Sequence, residues 1–297
     1  MDTITAAYLN RLGVEAEPPS AEALTRLHRA HVERVPYETF WIHLAQGWGI
    51  DAAESTRRVA TTRRGGYCYQ LNGAFRTLLT ALGYQVSVNV AGVHEAGGPN
   101  ESTLRNHAAL VVEGLPTDHN PGGRWWVDAG LGDALYDPMP LVDGVVAQGP
   151  MRFGMAEVGA EGVGDWHLTH DPSGSFTGVS LVDEPVAMDV FAARHLYNST
   201  SPESGFAKTV TAQRRHATGT TVMRGCVLTR RDGDMVTTRT CESLHEWLDV
   251  LEGEFDLSFD DDVPADALVA LLDVGAHGAR GLGRHAQDRV RGRPCDA

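Results

Sequence analysis

The spacing of apolar residues changes near residue 85 of this chain. Before that point they recur three and four positions apart, as in the segment 73–82, and this period predicts helices. After it the chain shows alternation or short apolar runs, at 86–90, 108–112 and 125–127, separated by Gly, Pro and Asn. We therefore expect a helical N-terminal part followed by a meandering antiparallel β region.

The remaining third of the chain mixes the two patterns. Strands are predicted near 208–212 and 225–229, and a helix near 243–248. At 297 residues the chain exceeds the usual length of one domain, so we expect structural units that share a core. The fold class is α+β. The predicted units are a helical part at 1–84, a β part at 85–200, a mixed α/β part at 201–279 and a disordered basic tail at 280–297.

Charge and composition narrow the classes of partner. A formal net charge of −14 disfavours binding to nucleic acid or acidic lipid, because like charges repel. No apolar run approaches the roughly 20 residues of a membrane-spanning helix, and the first residues lack a signal-peptide pattern. The cysteines, Cys68, Cys226, Cys241 and Cys295, have no CxxC spacing, which predicts neither disulfides nor a metal site. We expect a cytoplasmic protein without metal, nucleic-acid or membrane partners.

One cysteine, Cys68, lies between a glycine-rich turn and a predicted helix start, in the segment 64–72. Unpaired peptide N–H groups and the positive end of the helix dipole favour a thiolate at such a position. Arg64 adds positive charge nearby. A cysteine without this context is more often a small buried hydrophobic residue, and Cys226 and Cys241 keep that interpretation. Cys68 is therefore the candidate nucleophile.

Two downstream segments supply the other groups that a cysteine nucleophile needs. His107 opens an apolar strand and is the candidate base, because a thiol with the ordinary pKa of about 8.5 is only slightly ionised at neutral pH. Asp128 ends another strand, where its carboxylate could bind the far imidazole nitrogen and hold the tautomer. The structural alternatives are a core histidine and a turn-forming aspartate. Other histidines compete for the role of base: His94, His119, His167 and His195.

A thiolate–imidazolium pair favours one class of reaction. It attacks thioesters and activated esters well, because the leaving thiolate is comparable to the nucleophile and needs no strong acid. The cysteine becomes acylated, the first product leaves, and a second nucleophile enters the same cleft while His107 takes its proton. The predicted reaction is ping-pong acyl transfer.

These segments resemble the arylamine N-acetyltransferase family. The family's nucleophile signature, Arg-Gly-Gly-x-Cys-x-Glu-x-Asn, is similar to residues 64–72. Its histidine element resembles 105–110, and its Val-Asp-Val-Gly-Phe-Gly element resembles 127–132. Segments 35–40 and 197–206 are similar to its Pro-Phe-Glu-Asn-Leu and Ser-x-x-Pro-x-Ser-x-Phe elements. The resemblance spans most of the chain, in order.

The resemblance implies an α+β architecture with a cysteine-protease-like triad core. In it an N-terminal helical bundle carries Cys68, a central antiparallel β-barrel carries His107 and Asp128, and a C-terminal α/β lid follows. It also implies acetyl-CoA as the acyl donor and aromatic amines, hydrazines or hydroxylamines as acceptors. Cys68 would carry the acetyl group as a thioester, His107 would be the base, and Asp128 would orient His107.

The resemblance extends to residues around the nucleophile. Tyr67 and Tyr69 flank it, and only one of them can face the cleft. Leu131 stands where the family has an aromatic residue that lines the acceptor pocket, which favours a bulkier or non-aromatic substrate. Gly205 and Phe206 are expected to border the entrance for acceptor or CoA. Structural roles near the site are expected for Glu38, Arg64, Gly65, Gly66, Gln70 and Asn72. The glutamine among them replaces the family's Glu, and its amide can still accept a hydrogen bond.

Other functions stay open. The amide synthases of ansamycin-type biosynthesis are close relatives that use the same triad and take their acyl chain from a carrier-protein thioester. The charge of −14 disfavours docking of an acidic carrier protein. A cysteine hydrolase of the transglutaminase or papain type would share the triad, but the lobe predicted after the triad would narrow the long groove it needs. A non-catalytic binding protein is disfavoured, because an unneeded reactive thiol is an oxidation liability.

Overall fold

Helices occupy most of the N-terminal part of the protein. The structure, a computed structural model, describes residues 1–259 and 263–272. The helices before the first long strand are α1 (Thr3–Leu12), α2 (Ala21–Arg34), α3 (Phe40–His43), α4 (Ala52–Thr61) and α5 (Cys68–Ala81), with a short strand β1 (Tyr37–Glu38) between α2 and α3. The basic tail predicted at 280–297 lies outside the described residues.

Local chemistry sets where these helices begin and end. Ser20 Oγ accepts a hydrogen bond from the Ala23 amide, 3.1 Å away, and so caps the start of α2. Gly13 ends α1 in the left-handed conformation, with φ of 62°. Helix α5 begins at Cys68, and its first two turns, 68–75, are wholly buried. This central helix packs against α4 and against the first strands of the barrel.

A curved antiparallel sheet follows the helices. Its strands are β2 (Gln85–His94), β3 (His107–Glu113), β4 (Trp125–Val127), β5 (Met139–Pro140), β6 (Gly144–Gln148), β7 (Met151–Glu157), β8 (Trp166–Thr169) and β9 (Gly178–Pro185). Within the described residues their order is β5-β4-β3-β2-β9-β8-β7-β6, and they form a near-closed barrel. The barrel core contains Trp126, Phe153, Leu168 and Leu181. Because Leu110 lies opposite Val127, the start of β3 and the residues after β4 meet at one end of the barrel.

The C-terminal part forms a second antiparallel sheet. It contains β10 (Thr211–His216), β11 (Gly219–Arg224), β12 (Val227–Asp232) and β13 (Met235–Thr240), and it is preceded by α6 (Ala192–Thr200) and followed by α7 (Leu244–Phe255). Strand β1 from the helical part joins its edge, with Tyr37 opposite Gln213. Trp247 of α7 packs with Phe40 and Val210 in a third core. This sheet therefore connects the C-terminal part to the segment just before the candidate nucleophile.

No helix among residues 1–259 and 263–272 has the length and apolar character needed to cross a bilayer.

Candidate active site

Glycine allows the chain to pass closely under β1 just before Cys68. A Cβ on Gly65 would lie 1.8 Å from the Pro36 carbonyl oxygen, and Gly66 has φ of 150°. The Gly66 carbonyl in turn accepts a hydrogen bond from the Glu38 amide at 2.8 Å. The turn thus presents Cys68 as the first residue of α5, where unpaired amides and the helix dipole stabilise negative charge.

A buried ion pair supports this turn. Arg64 Nη2 lies 3.0 Å from Glu38 Oε1, and both side chains are almost fully excluded from solvent. The second oxygen of Glu38 accepts from the Phe40 amide at 2.9 Å, and the guanidinium also stacks over Trp48. Both charges are compensated within the protein, so this pair serves to hold β1 against the turn.

Gln70 uses both ends of its amide. Its oxygen accepts from the Tyr67 backbone amide at 3.1 Å, and its nitrogen donates to the Gly49 carbonyl at 3.1 Å. A glutamate at this position could make only the first bond, because an ionised carboxylate has no donor. The departure from the family signature therefore changes a structural hydrogen bond of the α5 N-terminus.

His107 and Asp128 lie in direct contact. His107 Nε2 is 2.7 Å from Asp128 Oδ2, and both side chains are buried. The same oxygen accepts from Trp126 Nε1 at 3.0 Å, while Oδ1 accepts from Asn72 Nδ2 at 2.8 Å and from the Gly130 amide at 3.0 Å. With four donors on two oxygens, the carboxylate is held in one orientation and in its charged form.

The charges of the site are mutually stabilising. Burial favours a neutral imidazole, but the Asp128 carboxylate and the charged form of Cys68 outweigh it and raise the pKa of His107 to about 10. For Asp128, burial acts to raise the pKa, yet His107 and the donors Asn72 and Trp126 lower it below its ordinary value. The buried Asp128 carboxylate thus favours the protonated form of His107.

Asn72 and Gly130 bring the barrel onto α5. Asn72 Nδ2 also donates to the Ala108 carbonyl at 2.6 Å, and its oxygen accepts from the Ala129 amide at 2.9 Å. A Cβ on Gly130 would lie 2.6 Å from Cys68 Cα. The loop that follows Asp128 can approach Cys68 this closely only because residue 130 has no side chain.

Two residues of this network were not among the sequence predictions. Trp126 could have been found, because it lies two positions before Asp128 in a strand and so shares its face. His28 of α2 is fully buried; its Nδ1 lies 2.9 Å from the Tyr136 carbonyl oxygen and its Nε2 lies 3.1 Å from the Asp128 carbonyl oxygen. Nothing local in the sequence connects residue 28 with a loop 100 positions later.

The competing histidines have other partners. His94 contacts Ser180 Oγ at 2.8 Å and stacks with His167. His195 Nδ1 lies 2.6 Å from the Tyr67 hydroxyl, and His119 is exposed. Among the described residues, none of these four histidines lines the cleft that contains Cys68.

Tyr67 and Tyr69 lie outside the lining of the cleft that contains Cys68. Both side chains are fully buried. The Tyr67 hydroxyl is hydrogen-bonded to His195 Nδ1, and the Tyr69 hydroxyl donates to the Arg105 carbonyl at 2.7 Å. Neither ring lines the cleft, which differs from the expectation that one of them faces it. Their rings meet edge to face with centroids 5.2 Å apart, and both rings contact His195, which packs α6 against the start of α5.

An open cleft of about 790 Å³ leads to Cys68. Cys68 and His107 line it together with the three residues predicted to border substrates, Leu131, Gly205 and Phe206. Its charged lining residues are Arg194, Lys208, Arg224 and Glu95. The cleft is thus large enough for a cofactor-sized ligand and is positively charged in a strongly acidic chain.

The sequence profile of a family described as N-acetyltransferase matches residues 20–263. The chain belongs to this family. It is 28% identical to the arylamine N-acetyltransferase pineal gland isozyme NAT-3 of Gallus gallus over 215 residues, 65% of this chain and 71% of that protein. It is 30% identical over 154 residues, 50% of this chain and 52% of the relative, to the arylamine N-acetyltransferase / N-hydroxyarylamine O-acetyltransferase of Salmonella typhimurium. The solved arylamine N-acetyltransferase of Nocardia farcinica is 27% identical, with a TM-score of 0.76 over 90% of this chain and 93% of that one.

Membership settles the reaction class and the fold. The chain is an acyltransferase of the arylamine N-acetyltransferase type, and the expected α+β fold with helical bundle, barrel and lid is confirmed. The family uses acetyl-CoA as its acyl donor. Among the residues that the structure describes, no group of three or more His, Cys, Asp or Glu side chains is arranged to hold a metal ion.

Proposed function

We propose that this protein transfers an acetyl group from acetyl-CoA to the nitrogen of an arylamine or hydrazine through a thioester on Cys68. The observation that carries the proposal is the 2.7 Å contact between His107 Nε2 and Asp128 Oδ2 beside Cys68, at the base of an open cleft. Family membership supports the reaction class.

In the first half-reaction the Cys68 thiolate attacks the carbonyl carbon of the donor thioester. A new C–S bond forms, the bond to the CoA sulfur breaks, and the leaving thiolate takes the proton held by His107. In the second half-reaction the amine attacks the acetyl-enzyme, its proton passes to His107, and Cys68 leaves as the thiolate. The enzyme returns to its starting thiolate–imidazolium state.

Asp128 acts through His107 and does not exchange a proton itself. Its four hydrogen bonds fix the carboxylate, so that His107 Nε2 keeps its proton and the opposite ring nitrogen faces Cys68. The first amides of α5 lie beside the sulfur and support the negative charge that develops on the acyl oxygen.

The lining of the cleft supports a phosphate-bearing donor. Arg194 of α6 and Lys208, just after the short helix Gly205–Ala207, lie on the lid side. Among the described residues neither has an acidic partner within salt-bridge distance, whereas Arg26, Arg29 and Arg230 each pair with a carboxylate. Unpaired cations in a cleft attract the diphosphate and 3′-phosphate of CoA.

Intact-protein mass spectrometry tests the proposal. The protein is incubated briefly with acetyl-CoA, malonyl-CoA and a long-chain acyl-CoA in separate reactions, with Cys68→Ala as control. We expect a rapid acetyl adduct on the native protein, absent from the control and discharged by aniline or a hydrazine. Cys68→Ser should fold normally but lose turnover, since a hydroxyl is much harder to ionise than a thiol.

Other results would redirect or reject the assignment. An adduct formed only from longer or carrier-bound acyl groups would point to an amide synthase. An adduct discharged by water as fast as by amines would indicate a hydrolase. No Cys68-dependent adduct from any thioester would reject the nucleophile.

A further inference from the structure

The chain enters β3 through a residue in the left-handed region. Arg105 has φ of 73°, a conformation that residues with a Cβ rarely adopt and that glycine or asparagine usually fills. Its side chain is exposed and makes no hydrogen bond or ion pair within residues 1–259 and 263–272. The unfavourable conformation of Arg105 is therefore held by contacts of its backbone.

Two hydrogen bonds hold the peptide groups of Arg105. Its amide donates to the Ala91 carbonyl at 3.0 Å, in the part of β2 that lies opposite His107. Its carbonyl accepts from the Tyr69 hydroxyl at 2.7 Å. Tyr69 directly follows Cys68 in α5, so its side chain connects the helix of the nucleophile to the turn that precedes His107.

The next peptide group of the turn is held as well. Cys68 Sγ lies 4.0 Å from the Asn106 carbonyl oxygen, so adjacent side chains of α5 contact consecutive carbonyls of the turn. The Asn106 side chain binds β2, because its Oδ1 accepts from the Val93 amide at 2.8 Å and its Nδ2 donates to the Val93 carbonyl at 3.1 Å. The turn is thus held between α5 and β2, and His107 is the next residue.

The Tyr69 side chain is fixed in place and remains a donor. It is fully buried, and its ring stacks on Phe191 with centroids 5.2 Å apart. Burial and the charge of Cys68 raise the pKa of Tyr69 above its ordinary value, against an opposing effect of Arg194. The hydroxyl therefore stays protonated and can donate to a carbonyl. A phenylalanine here would keep the ring and remove only this donor.

We propose that Tyr69 is a positioning residue, whose hydroxyl holds the left-handed turn at Arg105 and thereby sets the distance between the His107 imidazole and Cys68. These two groups come from different units, since α5 belongs to the helical bundle and β3 to the barrel. A misplacement of about 1 Å between reacting groups can cost about 10²-fold in rate. Tyr69 does not line the cleft, so it acts through His107 and not on the substrate. For acetyl transfer the inference rests on the proposed function.

The test measures how fast iodoacetamide alkylates Cys68 at pH 7, which reports the thiolate and needs no acyl donor. Peptide mass spectrometry quantifies the alkylated Cys68, and acylation by acetyl-CoA is measured in parallel. Tyr69→Phe should lower both rates by about tenfold, the effect of one hydrogen bond lost at a buried carbonyl. In an Arg105→Gly background the same change should lower them by less than about threefold, because glycine adopts a positive φ without support.

Two further variants separate positioning from a general loss of stability. Arg105→Val should lower both rates, because a β-branched residue tolerates positive φ least, although the native side chain has no partner in the part of the chain that the structure describes. Tyr67→Phe is the matched control, since it removes a neighbouring buried hydroxyl that is bonded to His195 instead. Any loss that it causes should persist in the Arg105→Gly background. Near-ultraviolet circular dichroism confirms that each variant is folded.

Several results would overturn the inference. Tyr69→Phe could be alkylated within about twofold of the native rate, or its loss could be equally large in the Arg105→Gly background. Arg105→Val could react like the native protein, or Arg105→Gly could rescue Tyr67→Phe to the same extent. A native protein that is alkylated at Cys68 but never acetylated would reject the proposed function, and the alkylation rates would still decide the role of Tyr69.

Discussion

Replacing Asp128 by Asn removes one charge and reverses the polarity of one side-chain atom. In the native protein both carboxylate oxygens accept two hydrogen bonds each, from His107 and Trp126 on one and from Asn72 and the Gly130 amide on the other. Either orientation of an asparagine amide turns its NH₂ group toward two donors. The less costly solution is for His107 to change tautomer, which takes away the basic nitrogen that faces Cys68.

The charge effect alone can be estimated. Asp128 is the larger of the two influences that raise the pKa of His107 to about 10, and burial, which lowers it, remains after the substitution. For a return to the ordinary pKa of about 6.5, the protonated fraction at pH 8 falls from nearly all to about 3%, which predicts acylation slower by about 30-fold. If His107 also adopts the wrong tautomer, the rate of acylation should fall further, to about 10⁴-fold below that of the native protein.

The assay is single-turnover acylation at pH 8, followed by quenched-flow mass spectrometry of the acetyl adduct. Asp133→Asn is the matched control, because Asp133 is also buried, accepts from the amide and hydroxyl of Ser175, and does not contact His107. Acylation of Asp128→Asn within threefold of the native rate, or a loss no larger than that of Asp133→Asn, would show that the carboxylate is only structural. Near-ultraviolet circular dichroism confirms that both variants are folded.

Further predictions concern the groups around the triad. The His107 imidazole should titrate near pH 10 by NMR, not near 6.5. Because its pKa in the folded protein is raised, its contribution to stability is complete below pH 6.5 and is lost as the pH rises to about 10. His107→Gln should therefore reduce the difference between the unfolding free energies measured at pH 6 and pH 10. Gly130→Ala should abolish most acylation and cost about 1–3 kcal/mol of stability, since its Cβ would lie 2.6 Å from Cys68 Cα; native-like activity would contradict that close approach. Glu38→Gln leaves the Arg64 guanidinium buried without its ion-pair partner and should cost about 3–5 kcal/mol in urea unfolding, and a loss under 1 kcal/mol would show that the pair is not needed to hold the turn.

Features that depend on neighbouring residues were predictable from the sequence. The glycine-rich turn and the apolar period after it predicted a helix starting at Cys68, and α5 begins there. The change of period near residue 85 predicted an antiparallel β region, whose first strand begins at Gln85. A glycine's backbone freedom, a cap and an apolar period act over a few residues, so a single sequence displays them directly.

Contacts that join distant segments were not predictable in the same way. Strand β1 has two residues, too few to show any alternation, yet it pairs with β10 more than 170 positions later and so joins the C-terminal sheet. The hydrogen bond between the Tyr67 hydroxyl and His195 likewise joins residues 128 positions apart. These contacts follow from how the two sheets and α6 pack, and the local pattern at either end is compatible with many other partners.

The geometry of the candidate site depends on both levels at once. Local sequence signals define the motif around Cys68 and the strand before Asp128. The register of the barrel strands then decides whether His107 meets the Asp128 carboxylate. A slip of one residue between β3 and β4 would turn the side chains of one strand to the opposite face. Trp126 opposes such a slip, because its ring is buried in the barrel core while its Nε1 donates to Asp128. A substitution there should therefore disturb the orientation of the carboxylate and the packing of the barrel together, whereas Asp128→Asn should alter the charge and the hydrogen bonds of the site and leave the packing of the barrel intact.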